Sequence, residues 1–143
     1  MNLEELLEQT RQSELLQLLD ISIETAEKGF VRLQMPVTSK VHQYIGIMNG
    51  GISLLLAETA ASLGAVVSSD LSKVTPVGIE INANHLRAVS RGIVTAEAKN
   101  IYHGRTLSVW SVEITNDRGK LVCVSRCTLS LKKGAAFPPQ NDE

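Results

Sequence analysis

The segment from Gly50 to Val67 constrains this chain more than any other. Two glycines open it, and Ile52, Leu54, Leu55, Leu56, Ala57, Ala60, Ala61, Leu63, Ala65 and Val66 then cover nearly every direction around a helix. A surface helix turns one apolar stripe to the core and its polar face to water, so a helix apolar all round must be buried nearly all round. At about 1.5 Å per residue it runs ~27 Å, long enough to cross a sheet that curls around it. Its most apolar part, Ile52 to Val67, carries Glu58 and three hydroxyl side chains. It also falls short of the ~20 residues that span a bilayer, so no membrane association is expected.

The flanking sequence supplies what such a helix needs around it. Leucines at positions 3, 6, 7, 15, 16, 18 and 19, set among Glu, Gln and Arg, predict an N-terminal helix over 1–19 that packs against or caps the core. From Ile23 to Val37 the pattern alternates, with Val31, Leu33 and Met35 on one face and Arg32 and Gln34 on the other, which predicts a strand, preceded by another near Ile21. Thr38 to Asn49 has no period but gathers His42, Gln43, Tyr44 and Asn49, a loop with polar equipment. Four apolar-rich runs follow the helix: Val77 to Leu86, Ile93 to Tyr102, Leu107 to Ile114 and Leu121 to Leu131. The short glycine-bearing connections Ser90-Arg91-Gly92, His103-Gly104-Arg105 and Asn116 to Gly119 read as hairpin turns, so the strands are expected to form an antiparallel meander. The fold class is α+β. With 143 residues the chain is expected to be one domain over 1–143, and the tail 134–143, with Pro138-Pro139 and a polar end, is expected to be disordered.

Charge and cysteine usage exclude several classes. Fourteen Lys and Arg against fifteen Asp and Glu give a formal net charge of -1, without the basic excess that nucleic-acid binding requires. Cys123 and Cys127 lie four apart in one strand, so their Cα atoms stand ~13 Å apart, beyond the ~7 Å reach of a disulfide. Met1 to Glu5 is acidic where a signal peptide is basic, and a cytoplasmic location is expected. His42, His85 and His103 are scattered without metal-site spacing, and no P-loop, dinucleotide fingerprint or nucleophile elbow is present.

Four features carry chemistry. Glu58 is a carboxylate within a helix built for burial, where desolvation would bring it towards the working range of a general base or nucleophile; alternatively it points to solvent at a gap in the packing. Ser62, one turn on, can support that carboxylate or orient a water, or it can bond back to its own helix. The amides of Gly50-Gly51 at a helix start can polarise a carbonyl, or the glycines answer only the steric demand of a tight turn. The run Tyr102-His103-Gly104-Arg105 offers donors and a cation suited to phosphate, or it is a plain solvated turn.

Taken in order, Gly46-Ile47-Met48-Asn49-Gly50-Gly51, Leu56-Ala57-Glu58-Thr59-Ala60-Ala61-Ser62, Val77 to His85 and Tyr102 to Arg105 resemble the hotdog-fold acyl-CoA thioesterases, in the bacterial branch that includes phenylacetate-pathway and aromatic acyl-CoA thioesterases. The resemblance covers about Leu15 to Leu131. It implies a hotdog fold, a curled antiparallel sheet around a long central helix, with homodimers that pair their sheets, active sites at the subunit interface, and tetramers built as dimers of dimers. It implies thioester hydrolysis with Glu58 as nucleophile or general base, the Gly50 amide polarising the carbonyl, and Gln43, Asn49 and Ser62 orienting the participants. Coenzyme A contacts carry over to Gly51, Gly78, His85, Leu86, Arg87 and Ala88, and to the turn Tyr102, His103, Gly104, Arg105, Thr106 and Leu107; Arg87, Arg91 and Arg105 would give a local positive funnel. Asn49 stands where the family more usually has His, and an amide cannot supply a proton near neutral pH, so a slower or differently controlled thiolate departure is expected. The acyl-CoA is the substrate, and no metal or redox cofactor is implied. The alternatives are a hotdog dehydratase or hydratase, against which the missing His beside the glycine pair speaks, and a non-catalytic acyl-CoA binding protein. The acyl group stays open between aromatic and medium- or long-chain, as does its carrier.

Overall fold

In the computed structural model, which describes residues 2–134, helices α1 (Leu3–Arg11) and α2 (Glu14–Leu18) lead into the hairpin β1 (Ser22–Glu27) and β2 (Phe30–Pro36). The long α3 (Gly50–Val67) follows, then β3 (Val74–His85), β4 (Ile93–His103), β5 (Leu107–Thr115) and β6 (Leu121–Lys133). The six strands form one antiparallel sheet in the order β1-β2-β4-β5-β6-β3. α3 lies against one face and touches all six strands, the arrangement the sequence demanded. By length and a mean hydropathy of 1.6 this helix would also pass as a membrane span. Here the sheet takes up that apolar surface instead.

Period-2 patterning explains which side of the sheet faces the helix. Val31, Leu33 and Met35 of β2, Val94, Ala96 and Ala98 of β4, Trp110, Val112 and Ile114 of β5, and Cys123, Cys127 and Leu129 of β6 are fully buried. They meet Leu56, Ala57, Ala60, Ala61 and Ala65 of α3, whose small side chains let the sheet come close. Trp110 approaches closely: a Cβ on Gly64 would lie 2.5 Å from its ring. The opposite face carries Arg32, Gln34, Thr95 and Glu97 towards solvent, with an Arg32–Glu97 ion pair at 3.1 Å.

Three expectations are corrected. The alternation from Ile23 to Val37 is two strands, because Lys28-Gly29 turns the chain back with Gly29 at φ 82°, a conformation that suits a residue lacking Cβ. The N-terminal helix is two helices. A capping box between Asn2 and Glu5 starts α1, the Gln12 N–H closes it on Glu8 O, and Ser13 has extended ψ. The connection at Ser90-Arg91-Gly92 is no hairpin, since β3 and β4 are not neighbours. Leu86 to Gly92 instead crosses the end of the sheet, bonding Leu86 N to Val122 O and Met48 N to Val89 O on its way. Seven residues span up to ~23 Å, enough to clear three strand spacings of ~4.8 Å. Only β4, β5 and β6 form a meander. Of the tail 134–143, residues 135–143 lie outside the described residues.

Candidate active site

The loop before α3 is held by backbone bonds and by the buried side chains of Val41 and Met48. Asn49 N donates to Val41 O at 2.8 Å, Met48 N to Val89 O at 2.7 Å, and the His42 ring meets Ser90 O at 2.8 Å. This fixes three groups at the helix start. Asn49 is the N-cap, its Oδ1 accepting from Gly51 N–H at 2.8 Å, so the Gly51 amide is occupied and the Asn49 Nδ2 remains as donor. Gly50 N–H has no partner among the described residues. The Gln43 Oε1 accepts from Ile45 N at 2.6 Å, which leaves the Gln43 NH2 to donate. A cavity of about 390 Å3 opens here, lined by Gln43, Gly50, Ser53 and the crossover residues His85, Leu86, Arg87 and Ala88. The His85 imidazole lies so close that a Cβ on Gly50 would sit 3.0 Å from Nε2.

Glu58 stands eight residues further along α3, ~12 Å from Gly50. It is half-buried and makes no hydrogen bond or ion pair among the described residues. Its Oε1 occupies the space beside Gly78 of β3, where any Cβ would collide with it. Its charge is felt nearby: burial, then Glu58 and Glu80, push the Cys127 thiol up to about 12. Ser62 shares with Glu58 a second cavity of about 430 Å3 between α1 and α3. Thr59 bonds back to Leu55 O at 2.7 Å, but no such bond holds Ser62.

The turn from Tyr102 to Leu107 lies at the Gly78 end of the sheet. His103 pairs with Ser108, Ser108 with Leu129, and Leu129 with Gly78, one row across four strands. Buried Ser108 organises the turn, its Oγ accepting from Trp110 Nε1 at 2.7 Å and contacting His103 Nδ1 at 2.9 Å. The Tyr102 ring covers Gly104, and Thr106 O accepts from Leu131 N. His85 pairs with Cys123 at the other end of β3, ~23 Å away.

One chain therefore assembles two groups and does not join them. Gln43, Asn49, Gly50, Gly51 and His85 to Ala88 gather at one end; Glu58, Ser62 and Gly78, with the Tyr102–Leu107 turn beyond, gather at the other. Among the described residues no three His, Cys, Asp or Glu side chains come together as a metal site. Ser53, Ser108 and the α1 residues Leu6 and Thr10 were not assigned to the site from the sequence. Ser53, three residues after Gly50 on the same helical face, was the most findable; where α1 docks leaves no local signal.

Comparison with known proteins gives a consistent picture. Residues 45–123 match the family described as Thioesterase superfamily. Over 80% of its length the chain is 46% identical to a Listeria monocytogenes protein named 1,4-dihydroxy-2-naphthoyl-CoA hydrolase, covering 93% of that relative. A solved mutant thioesterase from Pseudomonas aeruginosa superposes with a TM-score of 0.85 at 36% identity, over 93% of this chain and 95% of that one. A Staphylococcus aureus protein, solved as a glutamine-to-alanine and as a glutamate-to-alanine variant, superposes at 0.82 with 42% identity, over 84% of this chain and 99% of that one.

Proposed function

This chain belongs to the thioesterase superfamily and is a thioester hydrolase with a hotdog fold, and from that premise we propose that it hydrolyses an acyl-CoA at a site built from Glu58 of one protomer and Gly50 and Gln43 of another. The observation that carries the reading is the Glu58 carboxylate, unpartnered on a cavity wall and set against Gly78. Two variants chosen in the Staphylococcus aureus protein support it, because the glutamine and glutamate replaced there stand fifteen residues apart, as Gln43 and Glu58 do here.

β3 lies at the edge of the sheet, and antiparallel pairing of two β3 strands sets the Gly78 end of one chain beside the His85 end of the other. Glu58 then meets the free amide of the second chain. The thioester oxygen accepts from Gly50 N–H, which stabilises the negative charge that develops there. Glu58 takes a proton from water as the hydroxide oxygen bonds to the carbonyl carbon, or attacks that carbon itself to form an anhydride that water then opens. The C–S bond breaks, and the thiolate leaves with the bonding pair. Gln43 and Asn49, each with its NH2 unspent, and Ser62 orient carbonyl and water. Arg87 and the Tyr102–Leu107 turn receive the coenzyme A phosphates. No metal or redox cofactor takes part, two dimers form a tetramer, the chain acts as a single domain, and its location is the cytoplasm. Aromatic acyl-CoAs are the substrate class, with 1,4-dihydroxy-2-naphthoyl-CoA first because the Listeria relative bears that name.

The test is free-thiol release from aromatic and aliphatic acyl-CoAs by wild type and Glu58→Ala. Turnover that falls about 10³-fold or more in the variant supports the assignment. Binding without turnover in wild type would replace it with a binding protein, and full activity in the variant would remove Glu58 from the mechanism.

A further inference from the structure

Between α1 and α3 the chain leaves a solvent-open chamber of about 430 Å3, where Leu6 and Thr10 face Leu55, Leu63 and Val66, and Glu58 and Ser62 share the wall. Helices that meet only for stability close to ~8–10 Å between axes and leave few voids larger than a water. α1 stands off instead. None of its residues is buried, and Leu7 alone of them joins the packing around the core. Aliphatic side chains facing one another across such a space leave apolar surface wet on both sides, and an apolar occupant would recover that burial.

Resting on the thioesterase reading above, we infer that this chamber takes the acyl group of the substrate and that α1 is the wall that selects it. The carbonyl carbon must reach Glu58, so the group attached to it extends from Glu58, where the chamber begins. Leu6 limits its bulk. The Thr10 hydroxyl donates to Leu6 O at 2.8 Å and that of Thr59 to Leu55 O at 2.7 Å. With their protons committed to the helices, these hydroxyls offer the chamber only methyl groups and acceptor lone pairs. The Glu58 charge repels a second carboxylate. The occupant is thus a bulky, uncharged, mainly apolar acyl group that can carry hydroxyl donors, and not a dicarboxylic one.

Leu6→Trp and Thr10→Val test this, with Gln9→Trp on the exposed side of α1 as control. Two readouts are taken: kcat/KM for acetyl-, benzoyl-, hydroxybenzoyl- and 1,4-dihydroxy-2-naphthoyl-CoA, and affinity for uncleavable S-ethyl and S-naphthylmethyl thioethers of coenzyme A. Leu6→Trp should lower the naphthoyl-to-acetyl preference, and the matching thioether preference, at least tenfold. Thr10→Val should lower the hydroxybenzoyl-to-benzoyl preference about threefold, as loss of one neutral hydrogen bond does. Gln9→Trp should change neither. Preferences unchanged within twofold in Leu6→Trp and Thr10→Val would overturn the inference. Thioether preferences that shift in a protein without turnover would uphold the chamber and sink the hydrolase mechanism, while a wild type that binds neither thioether would overturn both.

Discussion

β1 and β3 close the two ends of the same sheet, but β1 has six residues and β3 has twelve. β1 slips register between Ile23 and Thr25 and runs into Glu27-Lys28, features that discourage another strand from pairing. β3 also slips register, after Gly78, but its bulge turns Ile79 outward, and Val77 and Ile79 are 40% and 59% exposed. A long edge that displays apolar side chains is a template for a further strand. The contrast teaches that one edge is built to end the sheet and the other is open to a further strand, and the proposed pairing uses that open edge to join the half-sites at the two ends of β3.

The sharpest way to break that comparison is to mix two inactive variants, Glu58→Ala and Gln43→Ala. If each site draws Glu58 from one chain and Gln43 from the other, every mixed dimer keeps one intact site, and random exchange restores about a quarter of wild-type activity across a two-fold interface. A site contained in one chain would give no recovery. Lysines at Val77 and Ile79 should next dissociate the dimer, read by light scattering at micromolar concentration, with activity falling by more than tenfold; Ser22→Lys on the β1 edge should do neither. Gly64→Leu acts behind both edges alike. The added side chain meets Trp110, and overpacking of this kind should destabilise the fold by about 3 kcal/mol in urea titration.

An effect confined to alkaline pH concerns Cys127, paired with Ile81 just inside the β3 edge. Its thiol is pushed up to about 12 by burial first and by the neighbouring carboxylates second, while the ordinary value is 9.0. The unfolded chain therefore releases this proton first, and stability should decline as pH rises from about 9 towards 12. Over the lower part of that range an alkylating reagent should leave native Cys127 untouched. Reaction at pH 8 would mean that the β3 edge opens.

What could be read from the sequence was whatever one segment decides alone. α3 is complete from Gly50 to Val67 because no other element can house so many apolar side chains, and each later strand shows its own alternation. The turn at Lys28-Gly29 and the break at Ser13 were local and missed within continuous patterns, whereas the crossover depended on partners elsewhere. Gly92 reads as a hairpin glycine, yet β3 pairs with β6, a choice written in the register of two distant strands. Gln43 and Asn49 could be singled out, but not the bonds that fix which end of each amide is spent. The proposed union of two half-sites is beyond any local pattern, because it would be a property of two chains.

The strand order also sets a timetable for synthesis. β3 ends at His85, and its neighbour β6 begins only at Leu121. At ~5–20 residues per second, the ribosome takes a few seconds to deliver that stretch. During that interval α3 and β3 are both made, while β4 and β5 are only emerging and β6, the neighbour of β3, is still absent. The most water-averse part of the chain is thus made well before the sheet that covers it is complete. A nascent chain of this kind relies on chaperone cover or rapid completion, and slow codons between His85 and Leu121 should lower the yield of soluble protein without altering one residue of the product.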